Sequence, residues 1–138
     1  MASLVNSIGL VIVLDEPVMP SLARLAVRRG WPVLEMATAR QAVSVVLQQQ
    51  AALHIVQVSV RGDEAADLIR LLRAAPRKVP IVAVSTLHDP CVERAAREAG
   101  ADCYLPGVER LEVLEQMIES LAPEGTPDGR SRRCAVSG

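Results

Sequence analysis

Three apolar segments of this chain each end in residues with carboxyl or hydroxyl groups. The segment 10–14 is followed by Asp15 and Glu16, the segment 53–58 by Ser59, and the segment 79–84 by Ser85 and Thr86. Carboxylates suit a divalent cation, and a serine hydroxyl beside a base can act as a nucleophile. Lys78, the only lysine, precedes the third segment. These segment ends therefore offer acid and hydroxyl groups without an amine.

Each candidate has a plainer interpretation. Ser59, His88 and Asp89 are the side-chain types of a nucleophilic triad, but Ser59 lacks the strained Gly-x-Ser-x-Gly turn that acyl chemistry uses. The hydroxyls of Ser85 and Thr86 suit hydrogen bonds to nearby backbone. We therefore predict no catalytic residue, no cofactor and no metal. Asp15 is the one candidate metal ligand, against a role as a polar strand end or helix cap.

Composition excludes several classes of function. A chain of 138 residues with a formal net charge of −1 predicts one domain without a basic face, so we expect no direct nucleic-acid binding. The apolar segments are much shorter than a membrane span, so no membrane association is expected. Without phenylalanine, and with Trp31 and Tyr104 as the only large aromatic residues, the core must be aliphatic.

The cysteines and the amino terminus bear on cellular location. Cys91, Cys103 and Cys134 are widely spaced and form no CxxC motif, so reduced thiols are expected rather than a zinc site or a disulfide framework. The chain begins without the basic and apolar regions of a signal peptide. Both features favour a cytoplasmic protein.

Short β-branched segments alternate with segments of helical period, which is typical of βαβ units. The predicted strands are 10–14, 32–36, 55–58, 79–84 and 101–105. The predicted helices are 21–29, 39–50, a third ending at 75–76, a fourth from Pro90 to Gly100, and 109–121. The fold class is therefore α/β, with a five-stranded parallel sheet in a doubly wound (βα)5 arrangement. Residues 1–8 form an amino-terminal segment, 9–122 the domain, and 123–138 a disordered tail or linker.

Three motifs resemble receiver domains, the CheY-like modules of bacterial two-component response regulators. They are the acidic end of strand one (13–17), strand four with its hydroxyl (80–86), and the segment 98–105 around Tyr104. The resemblance spans about residues 8–121 and implies the flavodoxin/CheY-like fold. It also implies a site with an acidic pair that binds Mg²⁺, a phosphoacceptor aspartate, a switch hydroxyl and aromatic residue, and a lysine.

Most positions of that site depart from the family pattern. Leu14 and Asp15 replace the acidic pair, Ser59 stands at the acceptor position, and Gly107 at the lysine position. Ser85 and Tyr104 match the switch residues. A serine cannot form the acyl phosphate that the family uses, so the resemblance implies a pseudo-receiver that is not an enzyme and signals independently of phosphorylation.

The resemblance also implies a protein partner in a bacterial signalling pathway, or a homodimer, through the face of the fourth helix, fifth strand and fifth helix. The residues expected there are Cys91, Val92, Arg94, Ala95, Glu98, Tyr104, Arg110 and Glu112. Two alternatives stay open. One is a phosphorylatable receiver that uses Asp15 or Asp63 with Mg²⁺, and the other is a small-molecule sensor that uses the vacated crevice. Either a stand-alone chain or an excised domain fits the sequence.

Overall fold

Strands and helices alternate along the chain in the computed structural model, which describes residues 9–59, 64–76, 78–85, 87, 89–106 and 111–120. The strands are β1 (Gly9–Leu14), β2 (Val33–Met36), β3 (Leu53–Val58), β4 (Ile81–Ser85) and β5 (Cys103–Pro106). The helices are α1 (Pro20–Arg29), α2 (Ala39–Gln49), α3 (Glu64–Ala74), α4 (Pro90–Ala99) and α5 (Leu111–Ser120). All strands pair in parallel in the order β2-β1-β3-β4-β5. The predicted five-stranded, doubly wound α/β fold is confirmed.

The sheet separates two apolar layers. Side chains on one face, such as Ile12 and Val56, pack with α2, α3 and α4. Their neighbours on the other face, such as Val11 and Ile55, pack with residues of α1 and α5. Because both faces are covered, the inner strands are apolar at nearly every position, and this explains the continuous apolar segments of the sequence.

Local sequence signals set several helix ends. Thr38 Oγ1 accepts a hydrogen bond from Gln41 N at 3.2 Å before α2, and Asp89 Oδ1 accepts one from Cys91 N at 2.8 Å at the start of α4. Gly30 ends α1 in the left-handed conformation, with φ 73°. These side chains and this glycine satisfy backbone groups that a helix end leaves without partners, as the sequence predicts.

Gly9 is required by the close approach of an aromatic ring. A Cβ atom at this position would lie 2.8 Å from Trp31 Cε3. Arg29 places its guanidinium carbon 5.8 Å from the centroid of the same ring. The ring of Trp31 therefore occupies the space beside β1 that a side chain at residue 9 would need.

The structure corrects the predictions for His54 and Cys103. Strand β3 begins at Leu53, two residues earlier than predicted, so His54 lies within the strand and is buried rather than partly exposed. The backbone N–H of His54 donates to Pro80 O at 2.9 Å, and this bond joins the start of β3 to the residue before β4. Cys91 is free, but Cys103 is buried and disulfide-bonded, so the prediction of a reduced thiol is wrong for Cys103.

The proposed domain boundaries at residues 9 and 122 stay predictions, because residues 1–8 and 121–138 lie outside the described ranges. Within those ranges, every helix is too short or too polar to cross a bilayer.

Candidate functional site

The carboxyl edge of the sheet brings the predicted site residues to one side of the molecule. Ser85 pairs in register with Val58 on one side and with Pro106 on the other. Ser59, which follows Val58, therefore lies at the same edge. The strand order reverses between β1 and β3, so Asp15 and Ser59 follow the two strands that flank the point where such folds usually bind ligands.

Asp15 is exposed and adopts an unusual backbone conformation, with φ 57°. Aspartate and asparagine tolerate this left-handed region better than other residues with a side chain. Its N–H donates to Met36 O at 2.8 Å, which continues the pairing of β1 with β2. Within the described ranges, no cluster of three or more histidine, cysteine or acidic residues is placed to hold a metal ion. The structure thus gives Asp15 a backbone role, and the prediction that the chain holds no metal, with Asp15 as the one candidate ligand, is not tested by it.

Gln57 is a buried amide inside an otherwise mainly apolar strand, and sequence reasoning missed its importance. Its Nε2 donates to Glu16 Oε2 at 2.7 Å and to Pro17 O at 3.0 Å. Its Oε1 accepts from Met19 N at 2.8 Å. One side chain therefore fixes the loop between β1 and α1 and holds the Glu16 carboxylate. The signal in the sequence was a glutamine within the apolar segment 53–58.

The two residues that match the receiver switch are hydrogen-bonded to each other in the interior. Ser85 Oγ donates to Leu87 O at 2.7 Å, and it lies 2.9 Å from Tyr104 Oη. A serine hydroxyl has one hydrogen, so Tyr104 must donate to Ser85. Tyr104 is only 1% exposed. The chain of bonds from Tyr104 through Ser85 to the Leu87 carbonyl uses the hydrogen that Ser85 would otherwise offer to an anion at the crevice.

Other candidates are engaged elsewhere or lie outside the described residues. Asp89 is the amino-terminal cap of α4, where its Oδ1 accepts from Cys91 N and, at 3.4 Å, from Val92 N. Ser59 is half-buried at the end of β3. The remaining candidates lie outside the described ranges; they are Asp63, Thr86, His88, Gly107 and Arg110.

Lys78 lies at the opposite edge of the sheet. It precedes β4, and its Nζ donates to Arg73 O at 2.9 Å and to Ala75 O at 3.4 Å. A cation at the carboxyl end of α3 satisfies carbonyls that have no helical partner and interacts favourably with the helix dipole. The only lysine of the chain is therefore a helix cap and does not serve the crevice.

The expected partner face is largely exposed on α4. Cys91, Arg94, Ala95 and Glu98 are all exposed and follow the spacing of one helical face. Val92 is half-buried, and Glu112 on α5 is exposed. Tyr104, also expected on this face, has its side chain buried in the core, where its hydroxyl is hydrogen-bonded to Ser85; its contribution to a partner surface stays a prediction.

Solved structures of receiver domains are similar to this chain. The BeF3-activated amino-terminal receiver domain of RstA from Klebsiella pneumoniae superposes with a TM-score of 0.68 at 21% identity, over 84% of this chain and 99% of that one. The receiver domain of the putative response regulator NarL from Mycobacterium tuberculosis superposes with a TM-score of 0.68 at 15% sequence identity, over 86% of this chain and 98% of that one. A CheY-like receiver domain from Methylobacillus flagellatus superposes with a TM-score of 0.62 at 20% sequence identity, over 82% of this chain and 97% of that one.

No protein-family model and no curated protein matches the sequence. The structural likeness covers nearly the whole length of each of these neighbours. The chain therefore has the fold of the response-regulator receiver domains of two-component signalling.

Proposed function

We propose that this chain is a non-enzymatic, cytoplasmic signalling module with a receiver fold that acts by protein–protein contact without being phosphorylated. The observation that carries this proposal is the residue at the acceptor position, Ser59, together with the placement of the only lysine at the opposite edge. Phosphoryl transfer depends on cationic groups that offset the negative charge of the transferred oxygens. Leu14 in place of an acidic residue removes one carboxylate from the Mg²⁺ site that would supply such a cation.

The switch residues support the same proposal. Ser85 already donates to Leu87 O, and Tyr104 already lies inside the core beside it. Contact with a phosphoryl oxygen would require Ser85 to give up an intact hydrogen bond. The face that includes Cys91, Arg94 and Glu98 would then be presented in one form, for a partner protein or for a second copy of the chain.

Acetyl phosphate with Mg²⁺, followed by intact-mass measurement, tests the proposal. We expect no added phosphoryl group on the wild-type chain. The runner-up is a receiver with a rearranged acidic site, which the exposed carboxylate of Asp15 favours. An added phosphoryl group that disappears in Asp15→Asn or Asp63→Asn would establish the runner-up and refute our proposal. A conventional receiver domain treated in parallel confirms that the reagent is active.

The hydrogen-bond chain of Tyr104, Ser85 and Leu87 has its own test. Tyr104→Phe removes only the hydroxyl, and Ser85→Ala removes the group that joins the other two. We expect each change to lower the free energy of unfolding by about 0.5–1.5 kcal/mol, and the double variant to lose less than the sum, because both remove the same bond. Urea denaturation measures these losses, and Ser85→Ala should cost more than Tyr104→Phe because only Ser85→Ala also removes the bond to Leu87 O. Additive losses would contradict the coupling.

A further inference from the structure

The molecule carries an apolar side chain at one edge of the sheet and an apolar cavity at the other. Leu87 follows β4 at the carboxyl edge and is 75% exposed. The cavity lies between the carboxyl ends of α2 and α3, near the start of β3, and measures about 210 Å³. Its lining includes Val46, Leu47, Ala75 and Val79, with His54 in the wall. The cavity lies away from the crevice and the α4 face, and the side chain of Leu87 takes no part in the hydrogen bond that its carbonyl accepts from Ser85.

The two features match in size and chemistry. An aliphatic cavity of about 150 Å³ is large enough to admit benzene, so a cavity of about 210 Å³ has room for the four-carbon side chain of leucine. The backbone of Leu87 is held by the hydrogen bond from Ser85 Oγ to its carbonyl oxygen, while its side chain is 75% exposed. Because this backbone is already ordered, insertion into a pocket has to order only the side chain.

Charge also matches across the two edges. Asp89 lies two residues after Leu87 at the carboxyl edge, which also carries the exposed Asp15. Lys78 immediately precedes Val79 of the cavity wall, is exposed, and is held by its bond to Arg73 O. Arg73 and Asp102 at the amino edge pair with each other, so they leave the charge of Lys78 in place. If Leu87 enters the cavity of another copy, Asp15 and Asp89 of one copy approach Lys78 of the next, and these opposite charges favour the pairing.

We propose that copies of this chain associate head to tail, with Leu87 of one copy seated in the cavity between α2 and α3 of the next. The two surfaces lie at opposite edges of the sheet, so the contact is heterologous and can repeat along a row of molecules. One inserted side chain makes a small interface, so the association is weak and depends on concentration. The proposal does not depend on the α4 face or on the absence of phosphorylation.

Sedimentation velocity of the full chain across a concentration series tests this, with two variants that each remove one side of the contact. Leu87→Asp removes the inserted side chain, and Leu47→Asp places a charge on the cavity wall at a position that is 43% exposed. We expect each to weaken self-association by about tenfold or more. The matched controls are Val27→Asp, 83% exposed on α1, and Leu71→Asp, 40% exposed on α3, and neither residue lines the cavity. Both controls should assemble as the wild type does.

Mixing the two variants gives the decisive result. The Leu47→Asp copy keeps its Leu87, and the Leu87→Asp copy keeps its cavity, so an equimolar mixture should form a dimer and nothing larger. A wild-type chain that stays monomeric at every concentration overturns the proposal. So does a mixture that stays monomeric, or a loss of assembly in Leu87→Asp that Leu47→Asp does not share, which would indicate a symmetric dimer instead. Far-UV circular dichroism confirms that each variant is folded.

Discussion

At the scale of single residues, Asp15 has two properties that can be tested separately. One is its left-handed backbone conformation, and the other is the negative charge of its side chain. Its left-handed conformation suits aspartate, asparagine or glycine, whereas its carboxylate would be needed for a metal or a phosphoryl group. Conformation and charge can therefore be changed independently at this position.

We expect Asp15→Asn to keep the free energy of unfolding within a few tenths of a kcal/mol, and Asp15→Ala to lower it by about 1 kcal/mol. Urea denaturation measures both. Asp15→Asn is thus a folded control for the acetyl phosphate experiment. Equal losses in the two variants would show that the carboxylate, and not the backbone conformation, matters at this site.

Gln57 provides a second prediction at this scale. Gln57→Leu fills a similar space but leaves Met19 N without its acceptor and Glu16 without its donor. The cost should be about 1–3 kcal/mol, because buried polar groups lose water and gain no partner. Gln57→Glu should also lower the free energy of unfolding, since it replaces the amide donor to Glu16 with a second carboxyl group. Chemical denaturation measures both variants, and a Gln57→Leu protein as stable as the wild type would contradict the prediction.

At the scale of elements, α1 is joined to α5 by ion pairs of unequal burial. Glu115 Oε2 lies 3.7 Å from Arg28 Nε and 3.5 Å from Arg29 Nε, and the Glu115 side chain is 17% exposed. Glu119 Oε2 lies 2.5 Å from Arg29 Nη2, but the Glu119 side chain is 60% exposed. The shorter pair is therefore the more strongly screened by water and salt.

We expect Glu115→Gln to lower the free energy of unfolding by about 0.5–1 kcal/mol, and Glu119→Gln by less than about 0.3 kcal/mol. Thermal denaturation at low and high salt measures both, and the loss in Glu115→Gln should shrink as salt rises. A larger effect of Glu119→Gln would mean that distance, and not burial, sets the strength of these pairs.

At the scale of the whole molecule, one sheet supports both apolar layers, so separate unfolding of either layer would expose the sheet. Trp31 is the only tryptophan; it precedes the edge strand β2, and its ring lies beside Gly9 at the start of β1. We expect its fluorescence and the far-UV circular dichroism to report the same midpoint in urea, as in a two-state domain. An earlier fluorescence transition would show that the β2 edge unfolds alone.

The sequence by itself determined the order of strands and helices, several of their ends, and the residues at the carboxyl edge. These follow from local rules, because the period of apolar residues, the caps at Thr38 and Asp89, and Gly30 act within a few positions of one another. The receiver-like crevice could be located for the same reason, since parallel strand ends must meet at one edge.

The tertiary structure alone decided what the polar residues do there. Hydrogen bonds between residues far apart in the chain, such as Met19 with Gln57 and Ser85 with Tyr104, depend on how strands pair and not on local sequence. Burial of His54 and Tyr104 is likewise set by the elements that cover them. The sequence could place a serine at each strand end, but only packing shows that the Ser85 hydrogen is bonded to Leu87 O and that Tyr104 points into the core.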